Sequence, residues 1–100
     1  MNVFWTPDAK RRLREIEAHI AKDSPSAARE ITVRLIRRSL ELEQPPLLGK
    51  RLPQYADADL RELLERPYRL IYRVRQDRIE ILTVMHYRQL LPSDLDGLRS

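Results

Sequence analysis

The hydrophobic period changes once along the chain, near residue 60, and this change does most to limit the folds open to it. Before it, apolar residues recur every three or four positions. Ala9, Leu13, Ile16 and Ile20 make one helical face, and Ala28, Ile31, Leu35 and Leu42 make another. After it, apolar and charged residues alternate, as in Tyr68-Arg69-Leu70-Ile71-Tyr72-Arg73-Val74. Period two marks a strand whose two faces meet different surroundings. A chain of 100 residues is long enough for one core and too short for two, so helices and strands must share it.

Proline sets the boundaries, since there are 7 prolines against only 2 glycines. Thr6-Pro7 and Ser24-Pro25 each put a capping hydroxyl before a proline at the first helical position, where the missing N–H costs no hydrogen bond. The spacing predicts helices over 7–21 and 25–42. The short link between them makes an antiparallel hairpin. Ile36 and Leu40 widen the second apolar face or begin another, and read as additional core ahead of the alternative, a partner groove. Val3-Phe4-Trp5 reads as a strand over 3–5, Pro45-Pro46 ends the second helix, and an irregular connector follows. Strands are expected over 60–64, 68–74 and 79–87, with a tight turn at Arg75-Gln76-Asp77-Arg78 and a short terminal turn capped by Ser93. The order β-α-α-β-β-β gives an α+β fold in one domain over 1–100, an antiparallel sheet packed against an N-terminal helical hairpin. The first strand joins at an edge or between strands.

Composition narrows function by exclusion. There is no cysteine, which removes disulfides, cysteine metal sites and cysteine nucleophiles. No apolar run reaches membrane-spanning length, so the expected home is cytoplasmic, with no membrane partner. His19 and His86 are the only histidines and lack metal-ligand spacing, and Gly49 and Gly97 stand alone, outside any phosphate loop or nucleophile elbow. No metal and no cofactor are expected. The net charge of +4 fits RNA, DNA or an acidic protein, and equally a solvated mixed-charge surface.

With Gln76 and Asp77 at the tip, simple alternation pairs Arg73 with Glu80, Ile71 with Leu82, and Arg69 with Val84. One face then carries Tyr68, Leu70, Tyr72, Val74, Ile79, Ile81, Thr83, Met85 and Tyr87 and lies beneath the helices. The other has an apolar floor of Ile71, Leu82 and Val84 rimmed by Arg69, Arg73, His86 and Arg88. Such a floor is expected to be covered, by the C-terminal tail or by a partner. Metal-free RNA cleavage is the one chemistry these residues leave open. Arginines such as Arg69, Arg73 and Arg88 would hold phosphate, and His86 would act as acid or base, with Tyr87 a weaker alternative.

The segments "WTPDAKRRLREIEAHI", "SPSAAREI", "LLGKRL", "LRELLERPYRLIYRV" and "IEILTVMHYR", in this order from Trp5 to Arg88, resemble the RelE/ParE superfamily of type II toxin–antitoxin toxins. The resemblance implies a small toxin, associated with growth inhibition and plasmid stabilisation and neutralised by a cognate acidic antitoxin. RelE-like members cleave mRNA in the ribosome, and ParE-like members inhibit DNA gyrase. Arg69 and Arg88 match arginines of the RNase branch. Glu62 stands where that branch carries a lysine, and no tyrosine follows Tyr87, Asp94 standing near the expected place. Some RNase members use a terminal His-Tyr pair, which His86-Tyr87 matches. The "SPSAARE" opening and "LREL" lean towards ParE. The favoured reading is therefore a ParE-like protein-binding inhibitor of gyrase. The alternatives are an endoribonuclease acting on the ribosome and mRNA through Arg69, Arg73, His86, Tyr87 and Arg88, and an inactive interaction module. The antitoxin is expected to be disordered until bound. It would lie on Arg34, Arg37 and Arg38 of the second helix and along Arg69, Ile71, Arg73, Leu82, Val84 and His86.

Overall fold

Thr6 makes the first corner and ties it to the sheet. Its Oγ1 accepts a hydrogen bond from the Ala9 N–H at 3.2 Å, capping the first helix, and donates one to the Ile81 carbonyl at 2.9 Å. The computed structural model of the chain describes residues 1–91; the turn expected at Ser93 lies outside the described residues. Strand β1 (Asn2–Trp5) leads into helix α1 (Pro7–Ala21), which turns back as α2 (Pro25–Leu40). A single 3₁₀ turn occupies Glu41–Glu43, and beyond the two-residue strand β2 (Lys50–Arg51) two 3₁₀ turns kinked at Tyr55 occupy Pro53–Ala58. Strands β3 (Arg61–Glu65), β4 (Tyr68–Val74) and β5 (Arg78–His86) complete the order.

The α+β architecture expected from the sequence is observed, with two changes in the sheet: the connector contributes the short strand β2, and β1 is parallel to its neighbour. The five strands lie in the order β1-β5-β4-β3-β2. The last three strands and β2 pair antiparallel, while β1 runs parallel to β5 at the edge, Val3 opposite Ile79 and Trp5 opposite Ile81. The sheet is thus mixed. The helical hairpin supplies the long connection that leaves β1 free to lie parallel to β5.

The helices cover one face. Ala9, Leu13, Ile31, Leu35 and Leu42 pack on Leu63, Leu70, Tyr72, Ile79, Ile81 and Val84, with Trp5, Ile16, Ile20 and Tyr68 at the margin. The Trp5 indole N–H donates to Ser39 Oγ at 3.1 Å, and Ser39 in turn donates to the Ile36 carbonyl. Ile36 and Leu40 are not additional core. They are 40% and 47% exposed, and with Val33 they form an open stripe on α2.

A second cluster fills the opposite face: Leu52, Tyr55 and Leu60 from the connector lie over Ile71, Leu82 and Met85, with Leu91 against them. Tyr72 fastens the other end of that connector. Its hydroxyl accepts from the buried Gly49 N–H at 2.7 Å and donates to the Pro46 carbonyl at 2.9 Å. Burial pushes the Tyr72 phenol above its ordinary pKa, against the opposing pull of the Gly49 hydrogen bond and Arg61. Gly49 has to be glycine here, because a Cβ would stand 2.5 Å from the Glu62 carbonyl oxygen and 2.6 Å from the Tyr72 ring. Replacing Tyr72 with Phe orphans the Gly49 N–H and is expected to cost about 1–3 kcal/mol, read from urea unfolding. An unchanged midpoint would mean that the connector is held by its apolar residues alone.

Candidate functional site

The pairing of β4 with β5 decides which sequence-predicted residues meet. Arg73 faces Glu80, but the register then shifts: Tyr72 pairs with Ile81, Ile71 with Thr83, Leu70 with Val84, Arg69 with Met85 and Tyr68 with His86. Leu82 is the extra residue of a β-bulge, and every side chain after it moves to the other face. The simple alternation is corrected accordingly. Val84 joins the core under the helices, and Met85 takes its place on the second face. His86 goes to the helix side beside Tyr68, with ring centroids 5.9 Å apart.

The apolar floor is corrected with it. Ile71 is 0%, Leu82 3% and Val84 0% exposed, all buried within the chain itself. The connector covers Ile71 and Leu82 and the helices cover Val84, so these three residues offer no open surface.

Arg69 and Arg73 are separate sites, about 13 Å apart along one strand at ~3.3 Å per residue. Arg69 Nη1 donates to Glu62 Oε2 at 2.8 Å and Nη2 to the Gln89 carbonyl. Its side chain is only 11% exposed. The two donors that would grip a phosphate are therefore already engaged, one of them by a carboxylate where an RNase would carry a lysine. Glu62 was legible in the sequence as a departure; that it neutralises Arg69 was not.

The ending His86-Tyr87-Arg88 folds on itself. The His86 and Tyr87 rings stack at 5.0 Å, the Arg88 N–H donates to His86 Nδ1, and Arg88 Nε donates to the Tyr87 hydroxyl. Arg66 and Arg88 both lie over the Tyr87 ring. Tyr87 is therefore half-buried at the strand end and does not lie in the helix-side core. On α2, Arg34 and Arg38 reach β3: Arg34 bonds Glu65 at 2.7 Å and the Arg66 carbonyl, and Arg38 donates to the Leu64 carbonyl. Arg37 points outward, exposed.

Sequence reasoning missed two features of the β1 edge. The first is an apolar groove of about 450 Å³ lined by Val3, Phe4, Trp5, Leu13 and Ile36, with Lys10 and Arg14 on its rim. The exposed stripe of α2 supplies Ile36, and β1 beside it is an edge strand. The second is Glu80, held by three arginines. Arg73 Nε lies 2.7 Å and Arg75 Nε 3.4 Å from Oε1, while Arg78 Nη2 lies 2.7 Å from Oε2. Burial pushes the Glu80 carboxyl up, but the hydrogen bonds and charges of Arg73 and Arg78 outweigh it and hold the group below its ordinary pKa.

Among the described residues no cluster of His, Asp or Glu could hold a metal ion, and no helix is long and apolar enough to cross a membrane.

Known proteins share this fold. Residues 3–91 match the family model described as the ParE toxin of the type II toxin–antitoxin system parDE. The chain is 39% identical over 95 residues to Y4kP of Sinorhizobium fredii, a protein named as a candidate toxin, covering 93% of this chain and 95% of that one. Its fold matches a chain of the chromosomal ParDE toxin–antitoxin system from P. aeruginosa with a TM-score of 0.73 and 27% identity, over 86% of this chain and 95% of that one. The chain belongs to the ParE toxin family of type II toxin–antitoxin systems.

Proposed function

We propose that this ParE-type toxin acts in the cytoplasm as an inhibitor of DNA gyrase, held silent by an acidic antitoxin, and does not cut RNA. The observation that carries the choice against RNA is the Arg69–Glu62 pair. Cleavage of RNA needs cations free to stabilise a phosphorane, and here the matching arginine is largely buried, neutralised and bonded to a backbone carbonyl. Arg73 is likewise occupied by Glu80. What remains is a protein-binding surface.

The antitoxin site is the groove beside β1, with the α2 stripe and Arg37 continuing it. An amphipathic antitoxin segment would set apolar side chains against Trp5, Leu13 and Ile36 and place carboxylates on Lys10 and Arg14. A second stretch would add as a strand to the free edge of β1. The surface first expected, along Arg69, Arg73 and the second face, is replaced in this proposal by the groove, since its apolar floor is closed. Arg34 and Arg38 serve α2–β3 packing and contribute at most secondary contacts.

Programmed ribosomes separate the two chemistries. The expected result is intact mRNA with wild-type toxin. Cleavage that disappears in Arg69→Ala would instead establish the endoribonuclease reading. Harmless overexpression, with no effect on gyrase, would leave only an interaction module.

A further inference from the structure

The hairpin between β4 and β5 collects more positive charge than its fold needs. One carboxylate, Glu80, meets three guanidinium groups, from Arg73, Arg75 and Arg78, and with Asp77 at the tip counted as well the hairpin stays net positive. Arg73 and Glu80 are buried, and Glu80 is already satisfied on both oxygens without Arg75. Arg75 stands 3.4 Å off, half exposed, with neither Nη atom bonded among the described residues. A structural ion pair needs one arginine, so the third is surplus to it.

The surplus faces a cleft of about 400 Å³. Arg73, Arg75, Arg78 and Glu80 line one side, Thr6, Pro7 and Asp8 at the start of α1 the other, and Phe4 and Leu82 give an apolar wall. The Arg78 guanidinium spends its Nε and Nη2 on Glu80 and lies 4.8 Å over the Phe4 ring, so it brings charge to the cleft wall while the unspent donors are those of Arg75. Asp8, the acidic group on the far side, is paired with Arg11 at 3.2 Å, so it does not cancel the arginines.

We infer that this cleft binds a phosphate dianion, carried either by free phosphate or by a nucleotide. The residual positive charge, with Arg75 half exposed at its edge, favours an anion. Guanidinium forks present paired N–H donors to phosphate oxygens in a way that ammonium groups do not. The exposed Phe4 ring would receive the base of a nucleotide. The site lies at the far end of β4 from Arg69, shares Phe4 with the antitoxin groove, and does not depend on what the toxin inhibits.

Full-length protein, labelled with ¹⁵N, is titrated with sodium phosphate and separately with AMP, at ionic strength held constant with chloride. Saturable shifts are expected at the Nε–H groups of Arg75 and Arg78, and none with chloride alone. Arg75→Gln is expected to weaken apparent affinity about tenfold, while Arg29→Gln, at an exposed site on α2, leaves it unchanged. Arg75 bears least on Glu80, so its loss leaves the ion pair and the fold in place; an unchanged unfolding midpoint verifies this. Arg75→Lys keeps the charge, loses the fork, and is expected to fall between. Tighter binding of AMP identifies the nucleotide as source, and equal binding identifies free phosphate. Shifts that are linear and reproduced by chloride, or an affinity unchanged in Arg75→Gln, would overturn the inference.

Discussion

Replacing Glu80 with alanine is expected to destabilise the toxin by about 3–5 kcal/mol, the cost of breaking a buried ion pair from one side. Arg73 and Glu80 are 8% and 4% exposed, so neither is rescued by water when its partner is removed. The substitution also leaves Arg73, Arg75 and Arg78 to repel one another around an empty carboxylate position. Urea unfolding of wild type and variant reads the difference directly. The same residue sets a pH signature. Its folded pKa lies below the ordinary value of 4.5, so the stabilisation is complete above that value and is lost as pH falls from there through the lower, folded value. The variant is expected to lose this part of the acid dependence. A cost below about 1 kcal/mol would be that of an exposed ion pair and would contradict the buried cluster.

Ile36→Asp is expected to weaken antitoxin binding about 100-fold while leaving the fold intact, because complex formation would bury an unpaired carboxylate against Trp5 and Leu13. Ile36 is 40% exposed in the free toxin, so its loss opens no cavity. Isothermal titration with the cognate antitoxin, alongside thermal unfolding of the free variant, separates binding from stability. Unchanged affinity would move the antitoxin off this groove.

The helical half was readable because two caps and two prolines fix where each helix starts, and the apolar faces Ala9-Leu13-Ile16-Ile20 and Ala28-Ile31-Leu35-Leu42 follow at helical spacing. The strands were readable from their period. The site was less so, and for identifiable reasons. One bulged residue, Leu82, reverses the facing of everything after it, and no glycine or proline marks it. A length mismatch was the available signal: Tyr68 and Val74 pair with His86 and Ile79, so one more residue is used on β5 than on β4. The closing of the second face by Leu52, Tyr55 and Leu60 is a long-range packing event, and the connector carries no periodicity to announce it. The parallel seat of β1 beside β5 is likewise set by contacts some 75 residues apart, such as Thr6 with Ile81. Arg69 was found as a candidate by its position in the strand, but its partner decides its chemistry, and Glu62 lies on the neighbouring strand.

The reversal at Leu82 changes the functional reading more than any single contact. It removes Val84 and His86 from the surface that carries Arg69 and Arg73, and it separates the arginines from the only imidazole able to act beside them. A toxin built this way ties Arg69 and Arg73 into internal bonds and exposes an apolar groove on one edge. That division favours capture by proteins over catalysis on RNA.

The direct measurement is gyrase supercoiling of a relaxed plasmid with ATP, against increasing purified toxin, with and without the cognate antitoxin. Supercoiling is expected to fall as toxin is added and to return when antitoxin is supplied in excess, with Arg69→Ala as inhibitory as wild type. Full supercoiling at every toxin concentration, together with mRNA cut on programmed ribosomes, would contradict the account.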